Sequence, residues 1–183
     1  MPPATPQQLF ATFDSLGIVH VTHQHRAVFT VEESRDLKAA LPGGHTKNLF
    51  LKDKKGRLFL LSALSDTVID LNAVSKLIGS GRFSFGNADL LLQHLGVTPG
   101  SVTLFGLIND AERQVTVVLD EGLFAHNPVN FHPLRNDATT AISPTDMIKF
   151  VRATGHEPIR LAFDVAGVPR LIEPGASPAH LQP

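Results

Sequence analysis

The chain has 183 residues, a length that fits one domain with a core that needs no disulfide or structural metal. Sixteen Lys and Arg residues against 17 Asp and Glu give a formal net charge of −1, and cysteine, tryptophan and tyrosine are absent. The lack of cysteine excludes thiol nucleophiles, disulfides and cysteine-rich zinc sites. The lack of a basic excess excludes a protein that grips a nucleic-acid duplex over many phosphates, so a nucleic-acid partner should be held by a local patch.

Membrane insertion and secretion are not expected. No stretch approaches the roughly 20 consecutive apolar residues that span a bilayer. Residues 1–6 lack the charged start and apolar run of a secretory signal. The sequence therefore predicts a cytoplasmic protein with no membrane partner.

The first elements are bounded by clear helix signals. Thr5 is a plausible N-cap of a helix that ends at Gly17, and residues 18–25 favour a strand because they are rich in β-branched side chains. Thr30 opens a capping box, with a glutamate three residues later, for a helix that runs to about Leu41.

A β-hairpin is the strongest strand prediction. Residues 47–52 and 57–64 are apolar runs joined by Asp53-Lys54-Lys55-Gly56, where glycine supplies the positive φ of a hairpin bulge. The later pattern predicts helices over residues 70–78, 88–95 and 147–154, and strands over 115–119, 129–132, 139–142 and 159–163.

The order of these elements predicts the fold class. Helices and strands intermingle without a regular βαβ rhythm, which is typical of an α+β domain with a mixed, mostly antiparallel sheet flanked by helices. We expect one compact domain over residues 1–166 and an irregular, Pro- and Ala-rich tail over 167–183.

Familiar catalytic and metal-binding motifs are missing. Gly79-Ser80-Gly81 lacks the Lys-Ser/Thr ending of a P-loop, and no Gly-x-Ser-x-Gly nucleophile elbow occurs. His23 and His25 would share one strand face but have no recognisable third metal ligand, so hydrogen-bonded or solvated histidines are favoured. Asp66 and Asp70 fit turn and cap positions better than an acid–base pair.

Three other features are ambiguous when each is taken alone. Lys47, beside Asn48 at the head of a strand, is either a solvated lysine or a point charge for a phosphate or an ester carbonyl. His132 is either a packed histidine or the polar wall of a pocket. The loop Gly96-Val97-Thr98-Pro99-Gly100 is either a helix C-cap or a set of backbone N–H donors that face a ligand.

Four motifs in order resemble a known family. Thr46-Lys47-Asn48-Leu49-Phe50-Leu51, then residues 95–102, then Phe105-Gly106-Leu107 and Phe131-His132-Pro133-Leu134 are similar to the YbaK/prolyl-tRNA-synthetase-associated editing superfamily. Within it, the chain most resembles the free-standing ProX-type deacylases of alanyl-tRNA(Pro). The resemblance covers roughly residues 5–165 and implies a compact α+β domain around a barrel-like sheet.

The resemblance also implies an activity and a site. It implies hydrolysis of the ester between an amino acid and the terminal adenosine of tRNA, without cofactor or metal. By resemblance, Lys47 is the site lysine, Asn48 its polar neighbour and His132 a pocket histidine. The segment Gly96, Val97, Thr98, Pro99 and Gly100 resembles the family's Gly-x-x-x-Pro loop with proline one position early, and its N–H groups would stabilise the oxyanion. The implied partners are the acceptor end of tRNA(Pro) and prolyl-tRNA synthetase.

Two alternatives remain open at this point. The same fold could be a non-catalytic module that binds nucleic acid or a synthetase. It could also be a hydrolase of another small ester or amide.

Overall fold

The computed structural model describes residues 1–28 and 30–174. Five α-helices lie in this part of the chain: α1 (Pro6–Ser15), α2 (Val31–Ala40), α3 (Leu71–Leu77), α4 (Ala88–Leu95) and α5 (Pro144–Ala153). It also contains nine strands: β1 (His20–Gln24), β2 (Gly44–Lys52), β3 (Leu58–Leu64), β4 (Ser84–Phe85), β5 (Val115–Asp120), β6 (Val129–Phe131), β7 (Ala138–Ile142), β8 (Ile159–Phe163) and β9 (Pro169–Leu171).

The helices begin where their capping residues stand. The side chains of Thr5 and Thr30 each accept a hydrogen bond from the backbone N–H three residues later. The Gln or Glu side chain at that later position accepts one from the backbone N–H of the cap residue, so both are capping boxes. Asp70, Asn87 and Ser143 cap α3, α4 and α5 through their side-chain oxygens. The capping roles predicted for Thr5, Thr30 and Asp70 are therefore confirmed.

The predicted hairpin is confirmed as β2 and β3. Lys47 pairs with Ala63 in an antiparallel register, and Gly56 adopts φ +82° in the turn. The buried carboxylate of Asp53 holds this turn together, accepting hydrogen bonds from Lys55 N (2.8 Å), Arg57 N (3.0 Å) and Arg57 Nε (2.7 Å). The turn therefore has a charged anchor as well as its glycine.

One mixed sheet runs in the order β1-β7-β6-β2-β3-β5-β8-β9, with β4 paired to the side of β2. Parallel pairing joins β2 to β6, β3 to β5 and β5 to β8, and the other pairings are antiparallel. The α+β class with a mixed, mostly antiparallel sheet is thus confirmed.

The end of the chain differs from the sequence prediction. Residues 169–171 were expected to be irregular, but they form β9, which pairs antiparallel with β8 through Leu171 opposite Leu161. Residues 175–183, also predicted to be irregular, lie outside the described residues. The sheet therefore continues past residue 166.

Two apolar clusters cover the two faces of the sheet. The larger contains Phe13, Phe105, Phe131 and Phe150, and the smaller contains Phe59 and Leu161. Along β2, Phe50 belongs to the larger cluster and Leu51 to the smaller. Because side chains alternate along a strand, even-numbered residues of β2 face the larger cluster and odd-numbered ones the smaller.

Among the described residues, we find no helix with the length and apolar character that crossing a membrane requires.

Candidate functional site

A cleft of about 580 Å³ opens between α2 and the strands β2, β6 and β7. The sheet lines the cleft next to the point where the pairing of β2 with β6 ends, and α2 lines the other side. The polar and charged side chains that line it are Thr30, Ser34, Arg35, Lys38, His45, Thr46, Asn130, His132 and Thr139.

This lining has one sign of charge. Arg35 and Lys38 project from α2, and no carboxylate stands among the described residues that line the cleft. A cleft whose charged groups are all cations attracts anions, because its low-dielectric walls concentrate the electric field of those charges. The cleft is therefore a locally cationic region of a near-neutral chain.

His132 is held as a neutral imidazole. Burial lowers its pKa, and the nearby His25 lowers it further, while the hydrogen bond to the Ala138 carbonyl opposes the shift. The Nδ1 atom lies 3.2 Å from that carbonyl oxygen. Because a carbonyl can only accept, Nδ1 carries the proton, and Nε2 is left as an acceptor on a side chain that lines the cleft.

Asn48 is linked to the same cleft through hydrogen bonds. The Ser62 hydroxyl donates to Asn48 Oδ1 at 2.6 Å, and Asn48 Nδ2 donates to Thr46 Oγ1 at 3.4 Å. Thr46 in turn donates to the Asn130 carbonyl at 2.7 Å. These three hydrogen bonds hold the Asn48 amide on the same face of β2 as Thr46, which lines the cleft.

The outer edge of β2 is open beside the cleft. β6 pairs with β2 at Gly44 and His45, and β4 pairs with it at Leu51 and Lys52. Within the part of the chain that the structure describes, no strand pairs with this edge in between. The Phe50 carbonyl accepts a bond from Gly86 N on this side, so alternation turns the Asn48 N–H and C=O toward the open edge as well.

Lys47 lies on the opposite face of β2 from Asn48. Its side chain is half-buried, and its ammonium donates a short hydrogen bond to the Thr67 carbonyl. The Thr67 hydroxyl donates to Asp120 Oδ2 at 2.6 Å. Lys47 and Asn48 are thus neighbours in sequence whose side chains lie on opposite faces of β2, and the Lys47 ammonium is held on the side of β3 and β5.

The loop from Gly96 to Gly100 does not line the cleft. Gly96 ends α4 with φ +67°, and a Cβ atom there would stand 2.4 Å from Asn109 Nδ2 and 2.9 Å from Pro3. Val97 is buried in the larger apolar cluster, and Thr98, Pro99 and Gly100 are exposed. The C-cap alternative accounts for the backbone conformation of Gly96, and the role of the loop's N–H groups in oxyanion binding stays a prediction.

A second basic feature, missed from the sequence, lies at the tip of the hairpin. We name Lys52, Lys54 and Arg82 the hairpin cluster; they line a shallow cavity of about 520 Å³. Asp53 lines it too, but its carboxylate is buried and bound to Arg57. Burial raises the pKa of Asp53, yet hydrogen bonds from Arg57, Gly81 and Lys55 outweigh it and hold the pKa at about 2.

The signal for the hairpin cluster was visible in the sequence. Four of the six residues from 52 to 57 are Lys or Arg, in a chain with a net charge of −1. The interpretation of this segment as a turn explains its glycine and its aspartate, but it does not explain so many cations.

His25 lies just after β1, and hydrogen bonds hold its imidazole. His25 Nε2 lies 2.8 Å from Thr139 Oγ1, and its Nδ1 lies 2.7 Å from the Arg26 carbonyl. Across the described ranges, no group of three or more His, Cys, Asp or Glu side chains is placed to hold a metal ion.

Comparison with known proteins gives a consistent family match. The model of the aminoacyl-tRNA editing domain matches residues 25–150. The "Prolyl-tRNA synthetase associated domain-containing protein 1" of Danio rerio is 42% identical, over 81% of this chain and 82% of that protein. The "Prolyl-tRNA editing protein ProX" of Acetoanaerobium sticklandii is 38% identical, over 82% of this chain and 92% of that protein.

A solved structure has a similar fold at low identity. The crystal structure of a candidate trans-editing enzyme for prolyl-tRNA synthetase superposes with a TM-score of 0.64. The two chains are 19% identical, and the match covers 92% of this chain and 97% of the other. This likeness bears on the fold alone.

Proposed function

The chain belongs to the aminoacyl-tRNA editing domain family, and we propose that it is a trans-acting deacylase of mischarged tRNA(Pro), with alanyl-tRNA(Pro) as its preferred substrate. The observation that carries this proposal is the basic cleft, which holds a neutral histidine and opens onto a free strand edge. The name of the ProX relative supports an editing role for this chain as well.

The acceptor end of the tRNA would lie along the open edge of β2. The esterified amino acid enters the cleft beside His132, and the terminal ribose rests at Asn48. Arg35 and Lys38 attract phosphate at the cleft, and Lys47, on the opposite face of β2, would exchange its bond to the Thr67 carbonyl for one to a phosphate. The hairpin cluster, at the far end of β2, meets phosphates closer to the acceptor stem.

The reaction needs little beyond placement and charge stabilisation. Water adds to the ester carbonyl, the tetrahedral intermediate collapses, and the ribose 3′ oxygen leaves with a proton, giving free amino acid and uncharged tRNA. His132 Nε2 accepts a hydrogen bond from the attacking water, and the neighbouring 2′ hydroxyl of the ribose helps to position it. The outward N–H of Asn48 is the donor that we assign to the developing oxyanion, in place of the Gly96 loop.

Selection for alanine would rest on packing and hydrogen bonding at His132. Val28 and Leu37 supply apolar walls of the cleft, and His132 closes it on the β6 side. An added methylene is expected to cost about 1–3 kcal/mol of binding where the walls cannot yield. Cysteinyl- and seryl-tRNA are the comparisons that test this selection.

A turnover assay tests the proposal. We expect the full chain to release alanine from alanyl-tRNA(Pro) catalytically, faster than from prolyl-, cysteinyl- or seryl-tRNA. Bound but unhydrolysed substrate would favour the second candidate, a non-catalytic binder of tRNA or of a synthetase, which the two basic features also suit. Turnover that uncharged tRNA does not compete with would favour a hydrolase of another small ester.

A further inference from the structure

An exposed aromatic ring stands next to the open edge of β2. Phe85, in the two-residue strand β4, has 66% of its surface exposed. Of the phenylalanines whose side chains the structure describes, it alone is in the exposed class. Single exposed apolar side chains are common on folded surfaces, so the case for a contact site rests on what holds and surrounds this ring.

The neighbours of Phe85 hold it in this position. Phe83, two residues earlier, packs on Phe59 with ring centroids 5.0 Å apart and fixes the start of the segment. Gly86, on the other side, donates its N–H to the Phe50 carbonyl at 2.9 Å. A Cβ atom on Gly86 would stand 2.4 Å from the Phe50 ring, so the backbone lies directly against it. The exposed ring is therefore carried on a rigid support.

The register places Phe85 on the same face of the sheet as Lys47. Phe85 lies opposite Leu51, and directly opposite residues of antiparallel strands share a face. Lys47 is four residues earlier on β2, a separation of about 13 Å at about 3.3 Å per residue. The ring and the unpaired stretch of β2 edge between His45 and Leu51 therefore lie within reach of one short single strand.

The charge around Phe85 indicates what covers it. The hairpin cluster of Lys52, Lys54 and Arg82 lies beside β4, and the carboxylate of Asp53 is already bound to Arg57. An aromatic ring between cations is the arrangement by which proteins hold single-stranded nucleic acid, with bases stacked on the ring and phosphates on the cations. A purely apolar protein partner would not need these cations.

We propose that Phe85 is a stacking platform for an unpaired base of the 3′-terminal CCA of the tRNA, between the ester in the cleft and the acceptor stem at the hairpin cluster. The inference rests on the proposed function for the identity of the RNA. Stacking on Phe85 would fix the path of the single strand and direct the terminal adenosine to the edge at Asn48.

Binding of intact and shortened tRNA tests the stacking. Phe85→Leu keeps an apolar side chain but removes the ring, and we expect it to weaken the Kd for uncharged tRNA(Pro) roughly 5- to 100-fold. On tRNA(Pro) that lacks its CCA, the variant and the unchanged protein should bind equally. Leu171→Ala is the matched control, because Leu171 is 51% exposed on β9, the edge strand at the other end of the sheet.

The absence of tryptophan from the chain allows a direct readout. Phe85→Trp introduces a single indole, whose emission should be quenched by intact tRNA and left unchanged by the shortened one. An unchanged Kd for Phe85→Leu, an equal loss on both RNAs, or quenching by both would overturn the inference. A change in the sedimentation of the free protein on Phe85→Leu would also overturn it, in favour of a second copy as the occupant.

Failure of this inference can be told apart from failure of the proposed function. If the unchanged protein hydrolyses alanyl-tRNA(Pro) and Phe85→Leu binds tRNA normally, only the stacking is wrong. If the unchanged protein gives no turnover yet binds the CCA end through Phe85, the deacylase is wrong and the stacking stands.

Discussion

At the scale of single residues, the site depends on which protonation state each group keeps. His132 stays neutral because burial disfavours its charged form, and its Nδ1 proton is committed to Ala138. The free Nε2 lone pair is what the cleft offers to water. Protonation of this lone pair is therefore the expected cause of the loss of activity at acid pH.

The pH dependence of deacylation should follow the depressed pKa of His132. As pH falls, kcat/KM should hold steady through 6.5, the ordinary histidine pKa, and decline only below it, because protonation of Nε2 removes the acceptor. His132→Gln should lower kcat/KM by about 10²- to 10⁴-fold and abolish this acid limb. The measurement is initial rates at each pH, corrected for uncatalysed ester hydrolysis. An acid limb centred at or above pH 6.5, or one retained in His132→Gln, would contradict this role.

Lys47 is expected to act as an anchor for a phosphate and not as a base. Lys47→Ala removes a charge-assisted hydrogen bond worth about 1.5–3 kcal/mol, which predicts a loss of roughly 10- to 150-fold in kcat/KM, mostly through KM. Lys47→Arg keeps the charge and should retain most of the affinity for tRNA. Thermal unfolding of both variants controls for the lost bond to Thr67. Full activity in Lys47→Ala would remove this residue from the site.

At the scale of elements, the hairpin β2–β3 organises both basic features. Its open edge borders the cleft at one end, and its turn end carries Lys52 and Lys54 of the hairpin cluster, which Arg82 completes from the segment before β4. Asp53 keeps that turn in shape, since it binds the backbone of the turn, the Arg57 guanidinium and Gly81 N at once.

Asp53→Asn should therefore loosen the hairpin and change the acid stability of the fold. The folded-state pKa of about 2 lies below the ordinary value of 3.8, so the unfolded chain takes up this proton first as pH falls. The contribution of Asp53 to the free energy of unfolding is therefore complete above pH 3.8, and it disappears as the pH falls from 3.8 to about 2. Urea unfolding should show a lower midpoint at neutral pH for the variant and a smaller loss between pH 4 and 2. Asp66→Asn, at an exposed aspartate, is the control; equal behaviour of the two variants would refute the anchoring role.

The elements that could be predicted from sequence are those specified locally. Thr5 and Thr30 cap helices through residues three positions away, and Gly56 marks a hairpin whose strands are contiguous. Strand β9 was missed because its partner β8 lies in a separate segment, and Pro169 at its start is typical of a break.

At the scale of the whole molecule, the sequence could not predict where the candidate residues lie relative to one another. The separation of Lys47 and Asn48 onto two faces follows from strand alternation, but the role of each face depends on β4, β6 and α2, which come from distant parts of the chain. The surroundings of the Gly96 loop could not be predicted because a glycine that caps a helix and one that faces a ligand have the same sequence signature. Long-range bonds such as His156 to Asp110, 46 residues apart, are likewise invisible in local patterns.

The whole molecule is near-neutral, and five of its 16 Lys and Arg residues lie either in the cleft near one end of β2 or in the hairpin cluster at the other end. That distribution suits a partner held at a single-stranded end and not along a duplex. It agrees with the family match over residues 25–150, which includes β2, the cleft and the hairpin cluster.

The most direct test of this account is the release of alanine from alanyl-tRNA(Pro) by the purified full chain under multiple-turnover conditions. The account predicts many substrate molecules hydrolysed per protein molecule, with the rate reduced by His132→Gln and competed by uncharged tRNA(Pro). Stoichiometric binding without release of alanine would contradict it.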